Sequence, residues 1–339
     1  MKRVNRWLMA PAPAERLAVL RVLVLGYATA FLVVRSNAFW TSAARPPWQW
    51  RPVGVLWFLD DAPSAWSVRI LFVVAIAAGV AATAGWRYRM TGPVFAVAFL
   101  VVTTHRLSWG SVLHTEHLVV LHVMILAFSP AAEVWRVDAR RRPSPAADPR
   151  FGWPVRVMAV ATVVGYVVAG VAKVRYGGSE WLVGDVLRHH IAFDNLRKVL
   201  LGDHHSALGG WVVRFDAVFP PLALATVLVE LAAPLALLGG RLRTVWVAAA
   251  WGFHVGIVAL MAIAFPYHLT GLAYAPLFAV EGLARRRSVR PRRRPSPRDD
   301  PRGSPPAMSV GPRSHPPADA HRRVRVWEGG SRSPRRRLP

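Results

Sequence analysis

The sequence predicts an all-α integral membrane protein, a bundle of about eight transmembrane helices with both termini in the cytoplasm. Two observations indicate this class. The chain of 339 residues is 53% hydrophobic, and it nevertheless carries a net charge of +25. The apolar runs lie within residues 17–283, whereas the charges concentrate in the connections and near the C-terminal end. A soluble domain is not expected to separate apolar and charged residues in this way.

Eight apolar runs approach the 17–25 residues that a helix needs to cross a bilayer. They are 17–34, 68–85, 91–107, 112–128, 155–175, 219–238, 244–264 and 268–283, the last being the shortest. Basic residues precede the first run, as in a signal peptide, but no small-residue cleavage site follows it. We therefore interpret the first run as a retained helix. The absence of cysteine excludes disulfides, thiolate metal sites and a cysteine nucleophile.

Basic residues occur in alternate connections between the runs. Positive charges near the ends of membrane spans favour the cytoplasmic side, and here they lie before the first run, at 87–89, at 136–150, at 241–243 and at 285–287. The opposite connections, 35–67 and 176–218, contain acidic residues and several tryptophans. The pattern predicts a multi-pass protein of the cell membrane, with a short cytoplasmic segment at 1–16 and a transmembrane domain at 17–283.

Residues 284–339 have a different composition from the rest of the chain. They contain 17 arginines, only four acidic residues and repeated Pro and Ser, which predicts a disordered cytoplasmic tail. Its basic start is expected to contact anionic lipid headgroups. A specific nucleic-acid partner is the less favoured interpretation.

Lys173 is unusual because nearly all cationic side chains of this protein are arginines. Of the 43 Lys and Arg residues, only Lys2, Lys173 and Lys198 are lysines. A desolvated lysine can lose its proton and act as a base, whereas an arginine stays charged. The alternative is a lysine whose ammonium group extends to the headgroup layer.

Other ionisable residues also lie within the apolar runs, where each is a candidate functional residue. Taking each run as a straight helix places His117 and Lys173 near the outer ends of the fourth and fifth runs, where they can share an outward-facing cavity with the 176–218 connection. Alternatively, His114, Glu116 and His117 only line a water-filled opening at the outer end of the fourth run. Glu230 and His254 are expected at equal mid-depth, which predicts a hydrogen-bonded pair, with proton relay as the less favoured role. Arg21 is expected to extend to the inner headgroups.

Metal binding is not predicted. The histidines of the fourth run lack the i, i+4 spacing of a metal-binding helix, and neighbouring histidines elsewhere point their side chains apart.

Three stretches resemble a known family, and the weakest of them is the opening helix from Arg21 to Tyr27. The first runs from Tyr166 to Gly184 and contains Gly170-x-x-Lys173, a short spacer, and Trp181-x-x-Gly184. The second is Glu-His-Leu-Val-Val-Leu-His at 116–122, followed by Trp-Arg-Val-Asp at 135–138. Together the three are similar to the HTTM domain, the membrane region shared by vitamin K-dependent gamma-carboxylases and many bacterial proteins. The resemblance extends over residues 15–283.

The resemblance implies a chemistry for these residues. Lys173 would be the base that deprotonates a reduced quinone of the vitamin K type, and His117 would take part in the carboxylation half of the reaction. Glu116, His114, Trp181 and Gly184 are the weaker candidates for cofactor contacts. The carboxylases bind their protein substrate through a large extramembrane portion, in place of which this sequence has its arginine-rich tail. We therefore predict carboxylase-like or quinol-oxidising chemistry on a quinol or other lipid-soluble molecule, rather than carboxylation of protein glutamates.

A second hypothesis is a non-catalytic membrane protein, such as a lipid or quinone carrier, a transporter or an accessory subunit. Glu230 and His254 would then be the working residues. A third hypothesis is a purely structural role for all of these ionisable residues.

Overall fold

The computed structural model describes residues 1–110, 114–138 and 144–283. The predicted disorder of the tail, its lipid headgroup contacts and the first residues of the fourth apolar run lie outside the described residues.

The described residues form helices joined by turns. The first half of the chain contains α1 (Lys2–Leu8), α2 (Ala14–Val34), α3 (Ser36–Ser42), α4 (Ala65–Ala84), α5 (Tyr88–Leu107) and α6 (His117–Ala127). The second half contains α7 (Pro149–Ala172), a π-helical turn (Lys173–Gly177), α8 (Gly178–Leu182), α9 (Asp185–Leu200), α10 (Ala207–Val212), α11 (Phe219–Leu231), α12 (Gly240–Met261) and α13 (Pro266–Leu269). Short 3₁₀ helices lie at Pro47–Gln49, Gly54–Leu56, Asp216–Val218, Ala233–Leu238 and Leu272–Leu277.

Five helical segments are long and apolar enough to cross a membrane. They are α2, α4, α5, the continuous run Pro149–Leu182 and α12. They confirm that the chain is a multi-pass, all-helical membrane protein, and they correspond to the first, second, third, fifth and seventh predicted spans.

The remaining predicted spans are shorter or interrupted. The fourth contains only the 11-residue helix α6 among its described residues. The sixth changes from α11 to a 3₁₀ helix at Ala233–Leu238, where Pro234 lacks the N–H group that would continue the α-helix. The eighth is not one helix, because Gly271 has a φ of +78° and Pro276 lies within the following 3₁₀ helix. The count of eight spans and the cytoplasmic position of the termini therefore remain predictions.

Helix α2 lies at the centre of the core. Leu17, Leu20, Leu25 and Leu32 on this helix are fully buried. Arg21 is also buried, at 1% exposure, and its guanidinium donates hydrogen bonds to the carbonyls of residues 131, 134 and 135 in the turn after α6. The expectation that Arg21 extends to the headgroups was wrong, because unpaired carbonyls of this turn provide closer acceptors than the lipid.

Small residues allow α4 to approach its neighbours closely. Ala75, Ala78 and Ala82 are buried on one face of α4, and Gly79 lies on the same face. A Cβ atom at Gly79 would overlap the hydroxyl group of Thr29 on α2 and lie 2.8 Å from a ring carbon of Phe95 on α5. Such small-residue faces are typical of helix packing in membranes.

We therefore expect Gly79→Ala to destabilise the protein by about 1–3 kcal/mol, the usual cost of overpacking a filled core. Gly165→Ala is the matched control, because a Cβ at Gly165 on α7 meets no atom within 4 Å and alanine is the better helix former. Thermal unfolding of both variants in the same detergent checks this. Equal melting temperatures would contradict the close packing of α4.

Candidate functional site

Lys173 forms a buried ion pair with Glu230. Lys173 begins the π-helical turn after α7, and its Nζ donates a hydrogen bond of 2.6 Å to Oε1 of Glu230 near the end of α11. The two side chains are 17% and 4% exposed. An ion pair removed from water in this way needs close geometry to offset the desolvation of both charges.

Gly170 explains why the lysine and the glutamate can meet. A Cβ at Gly170 would lie 2.9 Å from Cβ of Glu230 and 2.9 Å from Cδ2 of Leu231. Because Gly170 has no side chain, α7 and α11 come into direct contact at this level. A residue three positions further along a helix lies on nearly the same face, so Lys173 points at the same partner helix. The Gly-x-x-Lys spacing is thus the geometric condition for the ion pair.

Two aromatic rings surround the ammonium group of Lys173. Nζ lies 5.0 Å from the ring centroid of Trp181 and 5.2 Å from that of Phe253, within the range of cation–π attraction. The Trp181 ring is buried and packs against Ala223 and Val227 of α11. A carboxylate and two ring faces therefore replace water around this cation.

Glycines shape the segment that returns from Lys173 to α11. Gly178 has a φ of +52°, and Gly184 has a φ of +92°. Residues with a Cβ atom rarely adopt such backbone angles. A Cβ at Gly184 would also lie 2.6 Å from Cβ of Phe219, the first residue of α11. The Trp-x-x-Gly pattern therefore places Trp181 over the ion pair and anchors the chain at the start of α11. The predicted cofactor contacts of Trp181 and Gly184 remain predictions.

Lys173 lies further from the end of its helical run than the sequence suggested. Its partner Glu230 is 11 residues beyond Phe219, about 16 Å along α11 at the usual helical rise. The prediction placed Lys173 just below the outer end of its span, because it took the span to end at residue 175. The apolar run instead continues through the π-helical turn to Leu182, so that Lys173 lies within the run.

The predicted pair between Glu230 and His254 does not form. Both residues are buried, at 3% and 4% exposure, but Glu230 binds Lys173. The Nδ1 atom of His254 instead lies 2.9 Å from the carbonyl of Ala250, one turn earlier on α12. Its ring stacks on that of His268 with centroids 4.2 Å apart and an interplanar angle of 7°.

His117 and His114 are connected to His254 through a series of ring contacts. Both are exposed at the start of α6, and their ring centroids are 6.5 Å apart. The His114 ring contacts Phe265 at 5.3 Å, and Phe265 contacts His254 at 5.1 Å. A series of ring contacts through Phe253, His254 and Phe265 therefore connects Lys173 with these histidines, and a cavity shared by Lys173 and His117 remains a prediction.

Glu116 already has a charged partner. It is 4% exposed, and its Oε1 accepts a hydrogen bond of 2.6 Å from Nη2 of Arg106 at the end of α5. This ion pair ties the start of α6 to α5. The predicted cofactor contacts of Glu116 and His114 remain predictions.

A buried network of tyrosine and histidine side chains joins α6, α7 and the 266–277 segment, and sequence reasoning missed it. Nδ1 of His122 lies 2.7 Å from the hydroxyl of Tyr267, and the hydroxyls of Tyr166 and Tyr274 are 2.7 Å apart. The one sequence signal is Tyr166, which lies one turn before Gly170 on α7. Its hydrogen-bond partner Tyr274 lies in the eighth predicted span, which the sequence predicts only as an apolar run.

Within residues 1–110, 114–138 and 144–283, no three His, Asp or Glu side chains converge in a way that would hold a metal ion.

An apolar groove lies next to the ion pair. Its volume is about 280 Å³, and it is lined by α9, which belongs to the 176–218 connection, and by α11 and α12. The lining includes Leu187, Ile191, Leu222, Val229, Phe253 and Ile257. Phe253 is shared, since its ring also contacts the ammonium group of Lys173. A nonpolar molecule in the groove would therefore be separated from the Lys173–Glu230 ion pair by the ring of Phe253.

The helices and this site define an integral membrane protein with a charged group enclosed between its spans. The chain belongs to the HTTM domain family, whose model matches residues 10–281. No curated protein and no solved structure matches the chain.

We expect Glu230→Gln to destabilise the protein by about 3–5 kcal/mol, because it leaves the Lys173 ammonium buried without a counter-charge. The double variant Lys173→Met with Glu230→Gln is expected to recover most of this loss, since it buries no charge. Thermal unfolding of the two single variants and the double variant measures the coupling energy. Additive effects would show that the ion pair contributes nothing to stability.

Proposed function

We propose that this protein binds a lipid-soluble molecule with a weakly acidic hydroxyl group, such as a reduced quinone, and that Lys173 accepts the proton of that hydroxyl. The observation that carries this proposal is the position of the Lys173 ammonium group. It is buried against Glu230 and separated from an apolar groove only by the ring of Phe253.

The Lys173–Glu230 pair offers a route for the proton. The hydrogen bond of 2.6 Å lets the proton of Lys173 move to Oε1 of Glu230, which leaves a neutral amine and a neutral carboxylic acid. In a desolvated site this neutral form is favoured more than in water, because neither group is charged. The amine then takes the proton of the substrate hydroxyl, and the substrate anion forms beside a new ammonium group. The net charge of the site does not change.

His117 has a separate role in this proposal. It is exposed at the start of α6, and its ring contacts that of His114, from which ring contacts continue through Phe265 to His254. It would serve as an acid, base or hydrogen-bond donor at the opening of the site, while Lys173 acts in its interior.

We place the protein in the cell membrane with both ends of its domain in the cytoplasm. The contacts at one end of the bundle support this. Arg16 forms a two-point ion pair with Glu281, which brings the start of α2 next to the end of the domain. The backbones of Ala12 and Asp148 are paired there, and Arg243 binds the carbonyl of Leu277. The arginine-rich connections thus gather on one side, as the charge pattern predicts.

A non-catalytic carrier of lipids or quinones is the second candidate, and the apolar groove favours it. In that case the ion pair would only hold α7 to α11, and any residue that preserves the charge would suffice.

Lys173→Arg separates the two candidates, because arginine keeps the charge and cannot act as a base. If Lys173 is the base, quinol-dependent oxygen uptake by the purified protein in lipid nanodiscs is expected to fall by about 10²–10⁴-fold, the usual contribution of general base catalysis. Bound quinone, extracted and quantified by chromatography, is expected to be retained. Unchanged uptake would overturn the catalytic proposal and leave the carrier.

Lys198→Arg is the matched control. Lys198 is buried and paired with Asp194 at 2.7 Å, and its Nζ also binds the carbonyl of Met261 at the end of α12, whereas Lys173 binds Glu230; arginine keeps the charge and the donor groups at both positions. We expect this variant to retain uptake. Organic extraction of the unmodified protein tests the substrate class separately: finding phospholipid and no quinone would contradict quinone as the ligand for both candidates.

A further inference from the structure

Helix α9 is tied to the last turn of the membrane-spanning helix α12. The final carbonyls of an α-helix have no partner within the helix. Here three consecutive carbonyls at the end of α12 accept hydrogen bonds from side chains of the 185–206 segment. Ser206 donates to the carbonyl of residue 259, and Asn195 donates to the carbonyl of residue 260 at 2.8 Å. Lys198 donates to the carbonyl of residue 261.

The other end of α9 is fixed to the start of α11. Gly184, directly before α9, packs against the backbone of Phe219 and Pro220. The start of α11 and the end of α12 are at the same end of the bundle, because these two helices are antiparallel neighbours. Helix α9, about 24 Å long at the usual rise, therefore lies across that end and not along the spans.

The outward face of α9 carries large apolar side chains beside the exposed His189 and Arg197. Phe193, Leu196 and Leu200 recur at the three- and four-residue spacing of one helix face, and they are 67%, 57% and 77% exposed. Leu201 follows at 70% exposure. In the part of the chain that the structure describes, nothing covers these side chains. The opposite face, with Ile191, Asn195 and Lys198, is buried against the bundle.

We propose that α9 lies in the membrane interface, with Phe193, Leu196 and Leu200 inserted among the lipids at the boundary between headgroups and acyl chains. Its attachment to the end of a membrane-spanning helix fixes it at this level, and an amphipathic helix at this level binds lipid through its apolar face. Trp211 on the neighbouring α10 is 55% exposed, as expected of a tryptophan at the same boundary. Asp203, which follows α9, is expected to lie in water.

This placement has a consequence for the groove. Leu187 and Ile191 of α9 line it, so one wall of the groove belongs to a helix in contact with lipid. A nonpolar ligand would therefore pass between the bilayer and the groove beside α9. The interfacial position itself does not depend on the proposed chemistry of Lys173.

The experiment uses the natural absence of cysteine from the chain. Leu196→Cys, Leu200→Cys and the control Asp203→Cys are each labelled with a small environment-sensitive fluorophore, and the full-length proteins are reconstituted in phosphatidylcholine vesicles. For each labelled position, the quenching of fluorescence by lipids that carry a nitroxide near the headgroup is compared with the quenching by iodide dissolved in the water. All three positions are exposed, so the labels are expected to leave the melting temperature unchanged.

We expect several-fold stronger quenching by the nitroxide lipid than by iodide at positions 196 and 200, and the reverse at position 203. Iodide quenching at 196 and 200 equal to that at 203 would overturn the proposal. Protection from both quenchers that increases with the protein-to-lipid ratio would also overturn it, because a second copy of the chain would then cover this face.

Discussion

The ion pair between Lys173 and Glu230 determines how the second half of the bundle fits together. Each of these charges would cost several kcal/mol if buried alone, so neither side chain can leave the other without a large penalty. The pair therefore holds α7 against α11 at the level where Gly170 lets the two backbones touch. The rings of Trp181 and Phe253 enclose the cation from the sides. The irregular segment after α7 follows from this arrangement, because it must carry Trp181 back over the pair.

The same rule, that buried polar groups need partners, operates at both ends of the bundle. At the end where the arginine-rich connections gather, Arg21 satisfies carbonyls of the turn after α6. At the other end, Asn195, Lys198 and Ser206 satisfy the last carbonyls of α12. Each set joins segments that are far apart in the sequence. The spans are therefore fixed to one another at their ends by side-chain hydrogen bonds as well as by the packing of small residues.

The sequence was sufficient for the class of protein and for most of the spans, because an apolar run of 20 residues has few alternatives to a membrane helix. It also identified Lys173, since a lysine is rare among so many arginines. It did not identify the partner of Glu230. A straight helix is the only geometry that the sequence pattern implies, whereas the π-helical turn changes both the length of the run after α7 and the direction of its side chains. The contact between Lys173 and Glu230 depends on how the helices pack in three dimensions, and hydrophobic periodicity along the sequence does not determine that packing.

Helix α6 has a consequence for how the chain enters the membrane during synthesis. Its 11 residues extend about 16 Å, roughly half the thickness of the hydrocarbon layer. The buried His122 on this helix meets its hydrogen-bond partners on α7 and at Tyr267, all of which are synthesised later. A helix this short, with an unsatisfied imidazole, is poorly suited to enter lipid by itself. We therefore expect α6 to remain associated with α5 or the insertion machinery until the end of the domain has been made.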